Sequence, residues 1–316
     1  MTNSNVFVGD LHGQLWAANK IVDWADDRHM VFCGDLAHKG PNSAGCVALV
    51  KGLVEAGRAW CVRGNHDDSM GRGSYTHQEE GITPEEVEWQ KSLPLFVRKD
   101  GVLALHGGID KGVAEVIRHM IVKGDLPEEG DWTPDLVKWA TGRLSYNEEE
   151  ALKYIMYTRY IDAEGYMLHP EKQRFGSDEF WALNYNGEFG HVVFGHHPWT
   201  HVAKFSHATG IDTGAGETNR LSYGRIPPSS AGVSEVIEHP RGVFGQEFIG
   251  TERGRCCVAQ TRSPMSLREE LAVCLWSGYE EDWHVLQEEV VRLKLEGVTF
   301  KPTTTELLDK LTERYG

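Results

Sequence analysis

The sequence predicts an α/β fold around mostly parallel strands, and two patterns carry that prediction. Short apolar runs alternate with longer stretches of helical periodicity, and each early run ends in a polar loop containing glycine. In order, Val6-Phe7-Val8 reads as a strand, residues 14–26 as a helix, His29-Met30-Val31-Phe32-Cys33 as a second strand, residues 43–56 as a second helix, and Ala59-Trp60-Cys61-Val62 as a third strand. The loops that close these strands are Gly9-Asp10-Leu11-His12-Gly13, Gly34-Asp35-Leu36-Ala37-His38-Lys39-Gly40 and Arg63-Gly64-Asn65-His66-Asp67. Open α/β sheets bind ligands at the carboxyl ends of their strands, so the loops should converge on one edge.

Further strands are expected at Leu95-Phe96-Val97, Val102-Leu103-Ala104-Leu105, Val192-Val193-Phe194 and Val202-Ala203-Lys204-Phe205. Two of them end in Gly/His loops, Leu105-His106-Gly107-Gly108 and Phe194-Gly195-His196-His197-Pro198. Between these loops lies a polar excursion over 111–181, expected to be helical and to carry or cover the substrate pocket. Trp132-Thr133-Pro134-Asp135 reads as a helix start within it. Beyond Arg262 the polar loop motifs stop and helical patterns take over. The expected division is a catalytic domain over 1–262 and a C-terminal helical extension over 263–316.

The 316-residue chain carries 47 acidic and 32 basic side chains, a formal net charge of −15. That field repels duplex nucleic acid, so a phosphorylated substrate must be attracted locally, and bound divalent cations are the obvious means. Six cysteines without a Cys-x-x-Cys pair argue against structural disulfides or a cysteine zinc site. No apolar run reaches the roughly 18 residues of a membrane span, and the N-terminus has no basic segment followed by an apolar one. A cytoplasmic protein without membrane attachment is expected.

The five polar loops supply Asp10, His12, Asp35, Asn65, His106 and His196. Three imidazoles, two carboxylates and one amide suit manganese, iron or zinc better than calcium, and two manganese ions are the expectation. The Asp-x-His spacing lets Asp10 and His12 reach one ion from one tight loop. Asp35, on the loop expected between the other two, is the natural bridge to a second ion completed by Asn65, His106 and His196. Two such ions clamp a phosphate and lower the pKa of a shared water, so hydroxide attacks in line without a covalent intermediate. His66, next to Asn65, can face the phosphate without binding metal and protonate the departing oxygen. Lys39, and Arg159 in Tyr157-Thr158-Arg159-Tyr160, are candidates for holding phosphate oxygens. His38, His191, His197, His201 and His207 are expected at the surface or in packing, Arg63 as a structural partner, and the tryptophans in core and pocket wall.

In chain order, these motifs resemble the calcineurin-like metallophosphoesterases, in the branch uniting phosphoprotein phosphatases with symmetrical diadenosine tetraphosphatases. The resemblance covers residues 6–222 and includes Ile211-Asp212-Thr213-Gly214 and Leu221-Ser222. It implies a four-layer sandwich, two central mixed β-sheets flanked by helices, with a dinuclear centre at the loop edge. It also implies Asp10, His12 and Asp35 on one ion and Asp35, Asn65, His106 and His196 on the other.

The second loop of the protein phosphatases resembled here reads Gly-Asp-x-Val-Asp-Arg-Gly, its second Asp supporting the general-acid histidine and its Arg binding phosphate. This chain has His38 and Lys39 at those positions. It shares with the tetraphosphatases Gly40-Pro41, Asn65-His66-Asp67, Gly124-Asp125-Leu126-Pro127 followed by Trp132-Thr133-Pro134, and Thr158-Arg159. The expected function is therefore hydrolysis of a dinucleoside polyphosphate by metal-bound hydroxide, cut symmetrically. Trp181, Trp199 and aromatic residues near Tyr157 are expected to line an adenine pocket. A Ser/Thr protein phosphatase or phosphomonoesterase, acting on a phosphoprotein or small phosphate ester, is the alternative. A non-catalytic scaffold is a third reading, and it would lack ligands where this chain lacks none.

Overall fold

The structure, a computed structural model, describes residues 5–70, 81–169, 179–199, 202–215, 222–226 and 235–238. The early alternation folds as expected into β1 (Asn5–Val8), α1 (Leu15–Ala25), β2 (Met30–Phe32), α2 (Ser43–Glu55) and β3 (Ala59–Cys61), with the three strands parallel. Two later strands, β11 (Ser222–Ile226) and β12 (Glu235–Glu238), extend this sheet in antiparallel fashion beyond β1, giving the order β12-β11-β1-β2-β3. A second sheet is built from β4 (Phe96–Lys99), β5 (Val102–Leu105), β8 (His191–Phe194), β9 (Ala203–Lys204) and β10 (Ala208–Gly210). Its order is β4-β5-β8-β10-β9, with β5, β8 and β10 parallel and the two outer strands antiparallel.

Strand side chains alternate between faces, and that alternation builds the layers. Phe7, Val31, Val102, Ala104 and Val193 pack into one buried cluster between the sheets. Their neighbours Val6, Val8, Met30 and Phe32 pack instead with Ala18 and Ile21 of α1 and Val47 and Val50 of α2. On the second sheet Phe96, Leu103, Leu105, Val192 and Phe194 pack with Val113, Ile117 and Met120 of α5 (Lys111–Val122). The result is four layers: helices, sheet, sheet, helices. Each central strand is buried on both faces, as parallel strands require.

Within the excursion, α5 is followed by α6 (Pro134–Thr141), α7 (Tyr146–Lys153) and a 3-10 turn at Tyr154–Met156. α6 starts where its sequence directs, with Thr133 Oγ1 accepting from Leu136 N and Pro134 at the first helical position. The helical expectation fails beyond that turn. Thr158 Oγ1 donates back to Tyr154 O, and β6 (Tyr160–Ile161) pairs antiparallel with β7 (Glu179–Phe180) before the short α8 (Trp181–Asn184). Local chemistry explains the change, because Asp162 Oδ1 accepts from Glu164 N and Tyr166 N and so builds a turn that a helix cannot contain. Two further helices went unpredicted: α3 (Asn65–Ser69) and α4 (Pro84–Lys91), the latter opened by a Thr83/Glu86 capping box. The division at residue 262 and the helices expected over 263–316 lie outside the described residues.

Candidate metal centre

The three loops after β1, β2 and β3 are tied together through backbone and carboxylate. Leu11 N and His12 N both donate to Asp35 O, at 3.0 and 2.9 Å, and Gly13 N donates to Leu36 O at 3.0 Å. Asp35 Oδ1 accepts from His66 N at 2.9 Å. Glycines permit the approach: a Cβ on Gly64 would stand 2.1 Å from Asp35 Oδ1, and one on Gly195 would stand 1.9 Å from Asp10 Oδ1. The loop after β8 is anchored by His196 N donating to Asp10 Oδ2 at 3.0 Å and by Gly195 N donating to His106 O at 2.8 Å.

Strain concentrates here. Of the seven described non-glycine residues with positive φ, five are His12, Asp35, His38, Lys39 and His196. Such conformations cost free energy, and they persist where surrounding structure enforces them.

Asp35 is the hub. His12 Nε2 lies 3.7 Å, His66 Nε2 3.9 Å and His106 Nε2 3.3 Å from its Oδ2, and Asp10 Oδ2 lies 3.9 Å from His12 Nε2. Ligand atoms of Asp10, Asp35 and His106 lie within 4.8 Å of one another, as do those of His12, Asp35 and His66. His106 Nε2 is also 2.8 Å from Asn65 Oδ1, and the rings of His106 and His196 are 5.0 Å apart. Carbonyl oxygens set two tautomers: His12 Nδ1–H donates to Ala37 O at 3.2 Å and His106 Nδ1–H to Cys33 O at 2.7 Å. In each ring Nε2 is then the atom turned toward the carboxylates, the placement of a metal-ligating histidine.

The electrostatics call for a cation. Burial, then repulsion from Asp212 and Asp35, raises the Asp10 carboxyl well above the ordinary carboxylate range. Burial opposes the charge on Asp35, but the imidazoles of His106, His66 and His12 hold its carboxyl well below that range. Burial, with Arg159 and His106 nearby, lowers His196 and keeps it neutral. Buried carboxylates converging with imidazoles and an amide oxygen fit hard or borderline divalent cations, so this donor set suits the group that the sequence implied.

All nine residues singled out from the sequence meet at this edge. Arg159, half-buried, donates from Nη2 to His196 O at 3.0 Å. Lys39 is exposed, and its charge acts on both Asp10 and His66. Burial pushes the His66 imidazole down to about 4, against the raising effect of Asp35.

Other expectations divide. Arg63 binds Asp68 at 3.1 Å and Leu93 O, a structural partner as read. His191 and His197 are buried in packing. His38, read as a surface or packing residue, lies instead with its Nδ1 3.1 Å from His66 Nδ1. Trp181 and Trp199 are not pocket wall: at 1% and 2% exposure they sit in an aromatic cluster with Phe180, Phe194 and Phe205. Sequence reasoning also gave no role to Asp67, whose buried carboxylate accepts from Asp35 N, Leu36 N and Gly64 N. Its place directly after Asn65-His66 was the available signal.

Comparison with known proteins identifies the family. The family model for calcineurin-like phosphoesterases matches residues 6–213. The chain is 25% identical over 243 residues to an asymmetrical bis(5'-nucleosyl)-tetraphosphatase PrpE of Anoxybacillus flavithermus, covering 70% of this chain and 89% of the relative. It is 26% identical to a symmetrical bis(5'-nucleosyl)-tetraphosphatase of Aggregatibacter actinomycetemcomitans, covering 68% and 90%. A solved structure of a candidate diadenosine tetraphosphatase shares the fold with a TM-score of 0.50 at 21% identity, over 77% of this chain and 95% of that one. No helix among the described residues is long and apolar enough to cross a membrane. By loop chemistry, layered architecture and family match together, the chain belongs to the calcineurin-like phosphoesterases and is a phosphoester hydrolase.

Proposed function

We propose that this enzyme hydrolyses dinucleoside polyphosphates, diadenosine tetraphosphate above all, at a centre of two divalent cations, manganese first and iron or zinc as alternatives. The observation that carries the reading is the convergence of Asp10, His12, Asn65, His106 and His196 around Asp35. Asp10, His12 and Asp35 would hold one ion, and Asp35, Asn65, His106 and His196 the other. When bound, the cations supply positive charge to phosphate oxygens and lower the pKa of water at neutral pH.

The protein's own groups do the rest. Lys39 and Arg159 hold phosphate oxygens beside the centre, Lys39 as a point charge and Arg159 through its planar guanidinium. His66 attends the departing oxygen. A departing nucleoside polyphosphate is a weaker base than a serine alkoxide and needs less help from a proton donor. His38, standing where the protein phosphatases resembled here carry a supporting Asp, therefore favours a nucleotide over a phosphoprotein. Relatives named as tetraphosphatases, at about a quarter identity, support the same class.

The position of the cut has two readings. The motifs shared with symmetrical enzymes favour two molecules of ADP, whereas the relatives named as asymmetrical favour AMP with ATP. Manganese-loaded protein incubated in parallel with diadenosine tetraphosphate, a phosphopeptide and p-nitrophenyl phosphate, followed by product chromatography, separates these outcomes. Efficient phosphopeptide hydrolysis without dinucleotide cleavage would overturn the reading in favour of a protein phosphatase.

A further inference from the structure

Trp181 and Trp199 lie in the core, so a nucleoside at this centre must find its aromatic contact elsewhere. The loop that leaves His106 leads to one. Gly107 N and Gly108 N donate to Ile155 O at 2.9 and 3.0 Å, and further along Lys111 N donates to Gly165 O at 2.8 Å. Asp110 closes the seam, its buried carboxylate accepting from Val113 N at 2.8 Å and from Met167 N at 2.9 Å. The loop over 106–111 and the segment over 155–167 are therefore stitched together at both ends. His106 stands at one end of the seam, and Lys111 with Gly165 and Tyr166 at the other; Arg159 belongs to the segment between. Lys111 follows His106 by five residues, a separation of at most about 18 Å.

Tyr166 is presented to solvent at that far end on a turn that is fixed. Its N–H donates to Asp162 Oδ1 at 2.9 Å, and its carbonyl accepts from Asp162 N at 2.9 Å. Lys111 Nζ lies over its ring, 5.0 Å from the centroid, and Tyr166 is still 41% exposed. A stiff aromatic ring on an anchored turn offers a ligand large contact area at little cost in conformational entropy. In a chain of net charge −15, a cation on that ring also marks a place where a polyanion is attracted rather than repelled. An aromatic face beside an ammonium matches a ligand that joins a base to phosphates.

We propose that Tyr166, backed by Lys111, is the stacking platform for the terminal adenine of a dinucleoside polyphosphate whose phosphate chain lies at the centre beside Arg159. The inference rests on reading the centre as a dinucleotide phosphohydrolase site. Tyr166 then sets specificity and takes no part in bond breaking. Stacking on an aromatic face is tolerant of base identity, so guanine is accepted there nearly as well as adenine.

The test has two arms. Tyr166→Ala, Tyr166→Phe and Lys111→Met are assayed in manganese-loaded protein on diadenosine tetraphosphate and on p-nitrophenyl phosphate, which has no base. Loss of a base–aromatic stack costs about 10- to 100-fold, so Tyr166→Ala should lower kcat/KM for the dinucleotide relative to the ester by at least about tenfold, the loss lying in KM. Tyr166→Phe, which keeps the ring, should hold that ratio within about twofold of the parent. Lys111→Met, which keeps most of the stem and removes the charge, should lower it about threefold. In the second arm, 8-azido-ADP is photolysed with the manganese-loaded parent, and mass spectrometry should find the label on the peptide that carries Tyr166. Equal losses on both substrates in Tyr166→Ala, or label confined to other peptides, overturns the proposal. A parent that takes the label on that peptide yet leaves diadenosine tetraphosphate intact keeps the subsite and refutes the dinucleotide reading beneath it.

Discussion

The Asp67 carboxylate accepts the backbone N–H of Asp35 at 2.8 Å, so the hub of the centre is held from behind by a second acidic residue. Asp67 is fully buried and also accepts from Gly64 N and Leu36 N, at 2.9 and 3.1 Å. Burial and the charge of Asp35 push its carboxyl up to about 6. Asp67→Asn would turn an amide N–H toward these backbone donors. It should lower stability by about 2 kcal/mol in urea unfolding and weaken metal affinity by roughly 10- to 100-fold in titrations. A variant matching the parent in both measurements would leave Asp67 without this role.

Asp35→Asn should abolish turnover and lower bound metal, because three imidazoles and both proposed ions depend on one carboxylate. Elemental analysis of the purified variant checks this. Two retained metals with undiminished activity would remove Asp35 from the bridging position.

Arg159→Ala should reduce kcat by about 100-fold if the guanidinium meets developing charge on the phosphate chain. The hydrogen bond to His196 O is a competing, structural role. Steady-state kinetics together with metal content separates the two: lost activity at full metal occupancy points to phosphate, and lost metal points to loop support.

Stability should fall with acid through His191, away from the proposed ligands. Its Nε2 pairs with Thr209 Oγ1 at 2.9 Å, and burial, with the charge of His207, lowers its pKa from 6.5 to about 4. The fold therefore favours the neutral ring. Its contribution is complete above the unfolded value and is lost as pH falls from 6.5 through about 4. By about pH 4.5 the loss should reach about 2 kcal/mol. Urea unfolding should show a shallower acid dependence for His191→Gln than for the parent, and identical slopes would count against the assignment.

Truncation after Arg262 should spare metal binding, since every proposed ligand precedes that point. Metal content and circular dichroism of the shortened chain check it. A folded core that loses its metals would show that the division at 262 cuts through the site.

The sequence by itself determined the features that depend on neighbours in the chain. Alternating apolar residues and Gly-containing turns identified β1, β2, β3, β5 and β8, and the polar residues ending those strands named Asp10, His12, Asp35, Asn65, His106 and His196. Strand period and turn chemistry are local, so they survive in the one-dimensional pattern. Only the tertiary structure decided that Trp181 and Trp199 fill the core, that Tyr160–Ile161 pairs antiparallel with Glu179–Phe180, and that His38 meets His66. Each of these depends on which distant segments pack together. An indole serves equally well in a core or a pocket wall, and an imidazole pairs with whatever ring the fold brings within about 3 Å of it.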